Sequence, residues 1–160
     1  MADSPDYQWG RRDPDRTLHC TGNDADPLDQ AHAQGGRRLL REPHRMGTRA
    51  RGLLADEANT LVLSAATPWE LGIKVGRGKL SLPGGRSLGE LVRSMIEDYG
   101  AKPLPIRHQH ALRVATLPDH HRDPFDRILI AQAMEEPGMR LMTADGSLRE
   151  YAGVKIEWAR

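Results

Sequence analysis

The sequence has little of what would place it in several large protein classes. Its 160 residues contain one cysteine, Cys20, so no internal disulfide forms, and a lone thiol lacks the paired spacing of a zinc site. A reducing, cytoplasmic setting is the expectation. No run approaches the roughly 18 consecutive apolar residues of a membrane span, and the first residues lack the basic patch and apolar core of a secretory signal. Charge of one sign is also missing: 23 Lys and Arg stand against 22 Asp and Glu, a net +1 that leaves no global field to draw the chain to nucleic acid or anionic lipid. Any polyanion must be met by a local site.

The shortage of apolar residues is concentrated at the start. Residues 1–50 hold no Val, Ile or Phe, whereas residues 51–160 hold five Val, six Ile and the one Phe. With eight Arg, eight acidic residues and no Lys, the opening segment is too polar to offset its own ordering entropy. Residues 1–47 are therefore expected to be disordered, apart from a helical turn around Arg37 to Arg41, and residues 48–160 to form one domain.

From residue 48 the pattern becomes regular: a helix end over 49–58, a buried strand over 59–64, and a helix over 67–77. The cleanest helix spans 87–99, where Leu88, Leu91, Val92, Met95, Ile96 and Tyr99 fall on one face. A short strand over 103–106 carries two prolines, which confine it to a sheet edge or a strand start. Helices over 108–117 and 123–136, a strand over 139–143, a short helix over 146–151 and a last strand over 154–158 complete the chain. Strands alternating with helices argue for an α/β fold with a mostly parallel sheet covered on both faces. In such sheets functional groups gather beyond the carboxyl ends of the strands.

Two near-copies of one pattern stand out. Thr67-Pro68-Trp69-Glu70 and Asp123-Pro124-Phe125-Asp126 each offer a capping residue, a proline for the first helical position and an acid at the third. The same spacing also serves a plain capping box, as in Ser87-Leu88-Gly89-Glu90. Asp126 differs in sharing a face with Leu129, Ile130 and Ala133, so its carboxylate lies along an apolar stripe and needs a partner. Asp145 directly follows the strand over 139–143, where Thr143 adds a hydroxyl. If Glu70, Asp126 and Asp145 meet within about 5 Å, each like-charge pair costs roughly 3 kcal/mol at an effective dielectric of 20, and the cluster demands a cation. All-oxygen ligands point to Mg²⁺ or Mn²⁺, and the chemistry such a site supports is phosphodiester hydrolysis.

The segments SAATPWELGIKVGRGKLSLP, HALRVATLPDHHRDPFDRILIAQA and LMTADGSLREYAGVKIEW together resemble the VapC-type PIN-domain toxins of type II toxin–antitoxin systems, over about residues 48–160 and in the right order. The resemblance implies a three-layer α/β/α PIN-like fold, Mg²⁺- or Mn²⁺-dependent endoribonuclease activity on RNA, a homodimer, and inhibition by a cognate antitoxin. By position it makes Glu70, Asp126 and Asp145 the metal-binding and catalytic acids and leaves Asp123 as a helix cap. The family's opening apolar strand, ending in Asp-Thr-His and supplying a further metal-binding aspartate, has no match here, so the first strand is expected to be missing or altered. Asp29, in Leu28-Asp29-Gln30-Ala31-His32, is the nearest candidate for that ligand. This departure supports an alternative reading, a catalytically defective PIN-like protein that retains antitoxin or RNA binding.

Other residues are read more plainly. The adjacent His120 and His121 are taken as polar loop residues without a catalytic role. Arg122 is a candidate phosphate contact, and Arg127 is either that or a structural ion-pair partner. Trp69 and Phe125 are expected to anchor the core. The helix over 87–99 and the end of the one before residue 59 are candidate surfaces for an antitoxin or a second subunit.

Overall fold

A computed structural model describes residues 17–20, 47–143 and 145–158. Five parallel strands form one sheet in the order β3-β2-β1-β4-β5: β1 is Thr17–Cys20, β2 Thr60–Ser64, β3 Lys102–Leu104, β4 Met139–Thr143 and β5 Lys155–Trp158. The helices are α1 Thr48–Ala55, α2 Ala66–Gly76, α3 Leu88–Asp98, α4 His108–Thr116 and α5 Pro124–Glu135, with short 3-10 turns at Pro83–Gly85 and Gly146–Glu150.

Alternation along the strands sorts their side chains to two faces. Val62 and Leu141 pack with Leu129, Ile130 and Leu148 against α5, while Leu61, Leu63 and Met142 pack with Ala50 and Met95 against α1 and α3. A third cluster, Leu71, Leu80 and Leu91, joins α2 to α3. The three-layer α/β/α arrangement follows, since a parallel sheet that is apolar on both faces needs a helical layer on each. Pro103 sits in β3, an edge strand, the kind of strand to which a residue without a backbone N–H is confined.

The first strand is altered rather than missing. Thr17–Cys20 lies at the centre of the sheet, paired in parallel with β2 through Leu18 to Leu61 and with β4 through Cys20 to Met142. These four residues belong to the sheet although the expected domain boundary at residue 48 leaves them out. A strand flanked on both sides draws its hydrogen bonds from two neighbours, so tertiary context overrides a poor side-chain pattern. The expected disorder of the rest of that segment, the turn around Arg37 to Arg41, and Asp29 all lie outside the described residues.

Helix α3 starts at the expected capping box. Ser87 Oγ accepts the Glu90 N–H at 3.2 Å, and Glu90 Oε2 accepts the Ser87 N–H at 2.7 Å. The backbone and side-chain hydrogen bonds from Ser87, helped by Arg93 and Arg86, hold the Glu90 carboxyl below its ordinary value of 4.5. Because the folded value is the lower one, this interaction stabilises the fold above the ordinary value and is lost as pH falls through the folded value. Thermal unfolding of Ser87→Ala at neutral pH is expected to show a loss of about 1 kcal/mol. The stability gap between wild type and Glu90→Gln should close on acidification; a gap that persists at pH 2 would contradict the capping-box account.

Candidate metal centre

The site stands at the carboxyl ends of the strands, where α5 begins and β4 ends. At α5 the local pattern folds as its residues dictate: Asp123 Oδ1 accepts the Phe125 N–H at 2.7 Å, Pro124 takes the first helical position, and Asp126 falls in the first turn. Asp126 is 1% exposed, and an acid there lies at the positive end of the helix dipole. Leu129, Ile130 and Ala133, on the same face, bury against the sheet and fix where that carboxylate points. Beyond β4, the Asp145 N–H donates to the buried Thr143 Oγ1 at 3.0 Å, tying the acid to the strand end.

His121 joins them. Its Nδ1 lies 3.2 Å from Asp126 Oδ2, and its Nε2 lies 3.2 Å from Asp145 Oδ2. The same Nδ1 is 3.3 Å from the Asp123 N–H, which donates to it. A ring protonated on both nitrogens donates to both carboxylates, whereas a ring protonated only at Nε2 donates to Asp145 and accepts from Asp123. In either form the imidazole stands between two negative charges. Among the described residues, His121, Asp126 and Asp145 form a group whose ligand atoms all lie within 4.8 Å of one another. That spacing and donor set fit a divalent cation: two hard carboxylates with one borderline nitrogen.

The loop that carries His121 is held from several sides. The His121 N–H donates to Tyr151 Oη at 3.1 Å, Tyr151 Oη donates to the Pro118 carbonyl at 3.3 Å, and His120 meets the Tyr151 ring edge-on. Arg127 spends its guanidinium on four backbone carbonyls, those of Val114, Leu117, Pro118 and His121, at 2.8–3.2 Å. Its role is therefore structural, carried by carbonyls more than by the expected ion pair, which is a 3.8 Å contact with Asp119 Oδ1. The planar fork of five donors is what lets one side chain gather so many carbonyls.

Glu70 is placed differently from Asp126 and Asp145. It is buried and paired with Lys74 one turn on in α2, and it is not in the group of three. The expected cap at Thr67 is also corrected. Helix α2 begins at Ala66, and Ser64 Oγ accepts the Ala66 N–H at 3.0 Å while donating to Gln132 Oε1 at 2.6 Å. The hydroxyl at the end of β2 thus reaches the helix first, which leaves Thr67 inside the first turn and moves Glu70 beyond it. Pro68 is tolerated there because first-turn N–H groups have no intrahelical acceptor.

One reading of the sequence is overturned at this site and another is extended. His121, read as a polar loop residue, does lie in a loop, and there it is in contact with both acids; its signal was its place five residues before Asp126 in the run HHRDPFD. Trp69, expected in the core, is 57% exposed, with its ring 4.9 Å from that of half-buried Phe125 and the planes at 78°. The two repeats do meet, but ring against ring at the surface.

Comparison with known proteins follows the same lines. The family profile described as "PIN domain" matches residues 38–154. No curated protein matches the sequence. Among solved structures, the chain is similar to VapBC2 from Rickettsia felis bound to a DNA fragment from their promoter, with TM-score 0.61, 11% identity, and coverage of 90% of this chain and 98% of that one. It is also similar to DNA-bound VapBC from Salmonella typhimurium, with TM-score 0.59, 13% identity, and coverage of 91% and 98%. Among the described residues no helix is long and apolar enough to cross a membrane.

Replacing Arg127 tests the loop. Arg127→Ala strands several carbonyls and is expected to cost about 3 kcal/mol in chemical denaturation, with Arg127→Lys recovering only part of it. Full stability in Arg127→Lys would show that the fork geometry is unimportant.

Proposed function

The chain belongs to the PIN domain family, and from that premise we propose that it is a divalent-metal-dependent endoribonuclease, the toxin of a type II toxin–antitoxin pair. The observation that carries this reading is the convergence of Asp126, Asp145 and His121 at the carboxyl end of a parallel sheet. Asp126 and Asp145 would hold Mg²⁺ or Mn²⁺, with His121 as a nitrogen donor that favours Mn²⁺, the softer of the two. Bound there, such an ion would neutralise charge developing on a phosphodiester and acidify a water.

The chain's own residues do the positioning. Asp123 caps α5 and so aims Asp126; Thr143 restrains Asp145; His121 spaces the two carboxylates. Exposed Arg122, between His121 and Asp123, is placed to meet an RNA phosphate. Glu70 and its Lys74 partner stand on the neighbouring helix, where the glutamate completes the acidic set by position in the family motif. Asp29 keeps the role of proposed fourth acid.

The partners of this reading are RNA, a cognate antitoxin and a second copy of the chain, in the cytoplasm. Likeness to two VapBC structures supports the antitoxin. The end of α1 and the end of α3 border a cavity of about 310 Å³ lined by Leu53, Leu54, Tyr99 and Lys102, a candidate contact surface for either protein partner.

A second reading, a catalytically defective PIN-domain protein that keeps antitoxin or RNA binding, is favoured by Glu70 being held by Lys74 rather than joining the group of three. One assay separates the two. Purified chain on structured RNA is expected to cleave only with Mn²⁺ or Mg²⁺, and Asp126→Asn to lower the rate about 100-fold. Equal background cleavage by both proteins, with antitoxin binding intact, would establish the second reading instead.

A further inference from the structure

We infer that the exposed Trp69 ring, backed by Phe125, is a stacking platform for an unpaired base of the RNA beside the acidic site. The inference rests on the nuclease reading and adds to it a residue, Trp69, that contacts the RNA by stacking rather than through the metal.

The case begins with an indole that folding does not account for. Tryptophan is highly buried on average, yet Trp69 is 57% exposed. Its ring is nonetheless held: it meets Phe125 in a T-shaped contact, centroids 4.9 Å apart and planes at 78°. In a T-shaped pair an edge of one ring meets a face of the other, so at least one indole face is left uncovered by Phe125. A rigid, open π-face costs little further ordering when a flat ligand lands on it.

Position ties that face to the chemistry. Trp69 precedes Glu70 on α2, and Phe125 precedes Asp126 on α5, so the pair bridges the first turns of the two helices that carry these acids. A nucleotide seated on the platform would lie beside the helix starts from which Glu70 and Asp126 extend. Exposed Arg122, three residues before Phe125, supplies a cation for that backbone.

The surroundings favour a base over a protein helix. A docking groove for a partner helix needs a contiguous apolar area, whereas among the described residues the other exposed large hydrophobics, Tyr99 and Leu112, belong to α3's end and to α4. What borders Trp69 along α2 is half-buried Pro68 and buried Glu70. One ring, framed by prolines and charge, has the size of a base. Stacking of this kind is available to any base but only when it is unpaired, because a paired base offers its faces to its neighbours in the duplex.

The test uses the full chain with Ca²⁺ in place of the catalytic ion, a fluorescein-labelled single-stranded RNA, and the same RNA annealed to its complement. Anisotropy gives affinity and indole fluorescence reports stacking, with Trp9 and Trp158 as the constant background. Trp69→Ala is expected to weaken single-strand binding about tenfold while leaving duplex binding unchanged, and Trp69→Phe to retain part of the affinity but lose the RNA-induced quench. Melting temperatures only a few degrees below wild type, from loss of the Phe125 contact, would show that both variants remain folded. Equal single-strand affinity in wild type and Trp69→Ala overturns the platform alone and leaves the nuclease reading standing. So does a variant that keeps its RNA affinity but loses the antitoxin, which would assign the ring to a protein interface. Absence of any RNA binding by the wild-type chain overturns the platform and the reading beneath it together.

Discussion

Two carboxylates held side by side at the end of a parallel sheet repel one another, and the surrounding structure is organised to oppose that repulsion. Asp126 arrives on the first turn of α5, where the helix dipole favours its charge, and Asp145 arrives on the exit of β4, restrained by Thr143. The His121 ring enters between them with one nitrogen toward each. Asp126 is thus anchored through a helix of the main core, and Asp145 through its bond to Thr143 at the end of a core strand.

Behind the site lies a chain of buried polar groups that fixes the helices relative to the sheet. Ser64 at the end of β2 bonds to Gln132 of α5, whose amide reaches the Pro105 carbonyl at 3.3 Å. Fully buried His110 accepts the Arg107 N–H at Nδ1 and turns its Nε2 to Glu136 at 3.0 Å, while Arg107 meets the same glutamate. Satisfied buried networks of this kind specify one arrangement, since any slip leaves a polar group without its bond. One consequence is that the start of α2 and the body of α5 share a register, and that shared register is what sets Trp69 against Phe125.

Much of this was legible in the residues, and the exceptions have physical reasons. The α3 capping box, the Asp123 cap with Pro124 behind it, the edge placement of Pro103 and the position of Asp145 after β4 are local, and local chemistry is what a sequence displays. The central strand Thr17–Cys20 was not, because its pairing with two neighbouring strands is not visible in the run TLHC itself. The start of α2 was misplaced because Ser64, a strand residue, competes with Thr67 for the helix end. His121 was passed over because its partners lie five and twenty-four residues away and meet it only after α5 and β4 are packed. Trp69 was assigned to the core by residue type alone, and aromatic type does not say which side of a helix faces water.

The central claim is that Asp126 and Asp145 act together on one divalent ion, and direct metal binding tests it without reference to catalysis. Titration of Mn²⁺ into the full chain, followed by loss of the free-ion electron paramagnetic resonance signal, should reveal one site that disappears in both Asp126→Asn and Asp145→Asn. Undiminished Mn²⁺ binding in either variant would contradict the account.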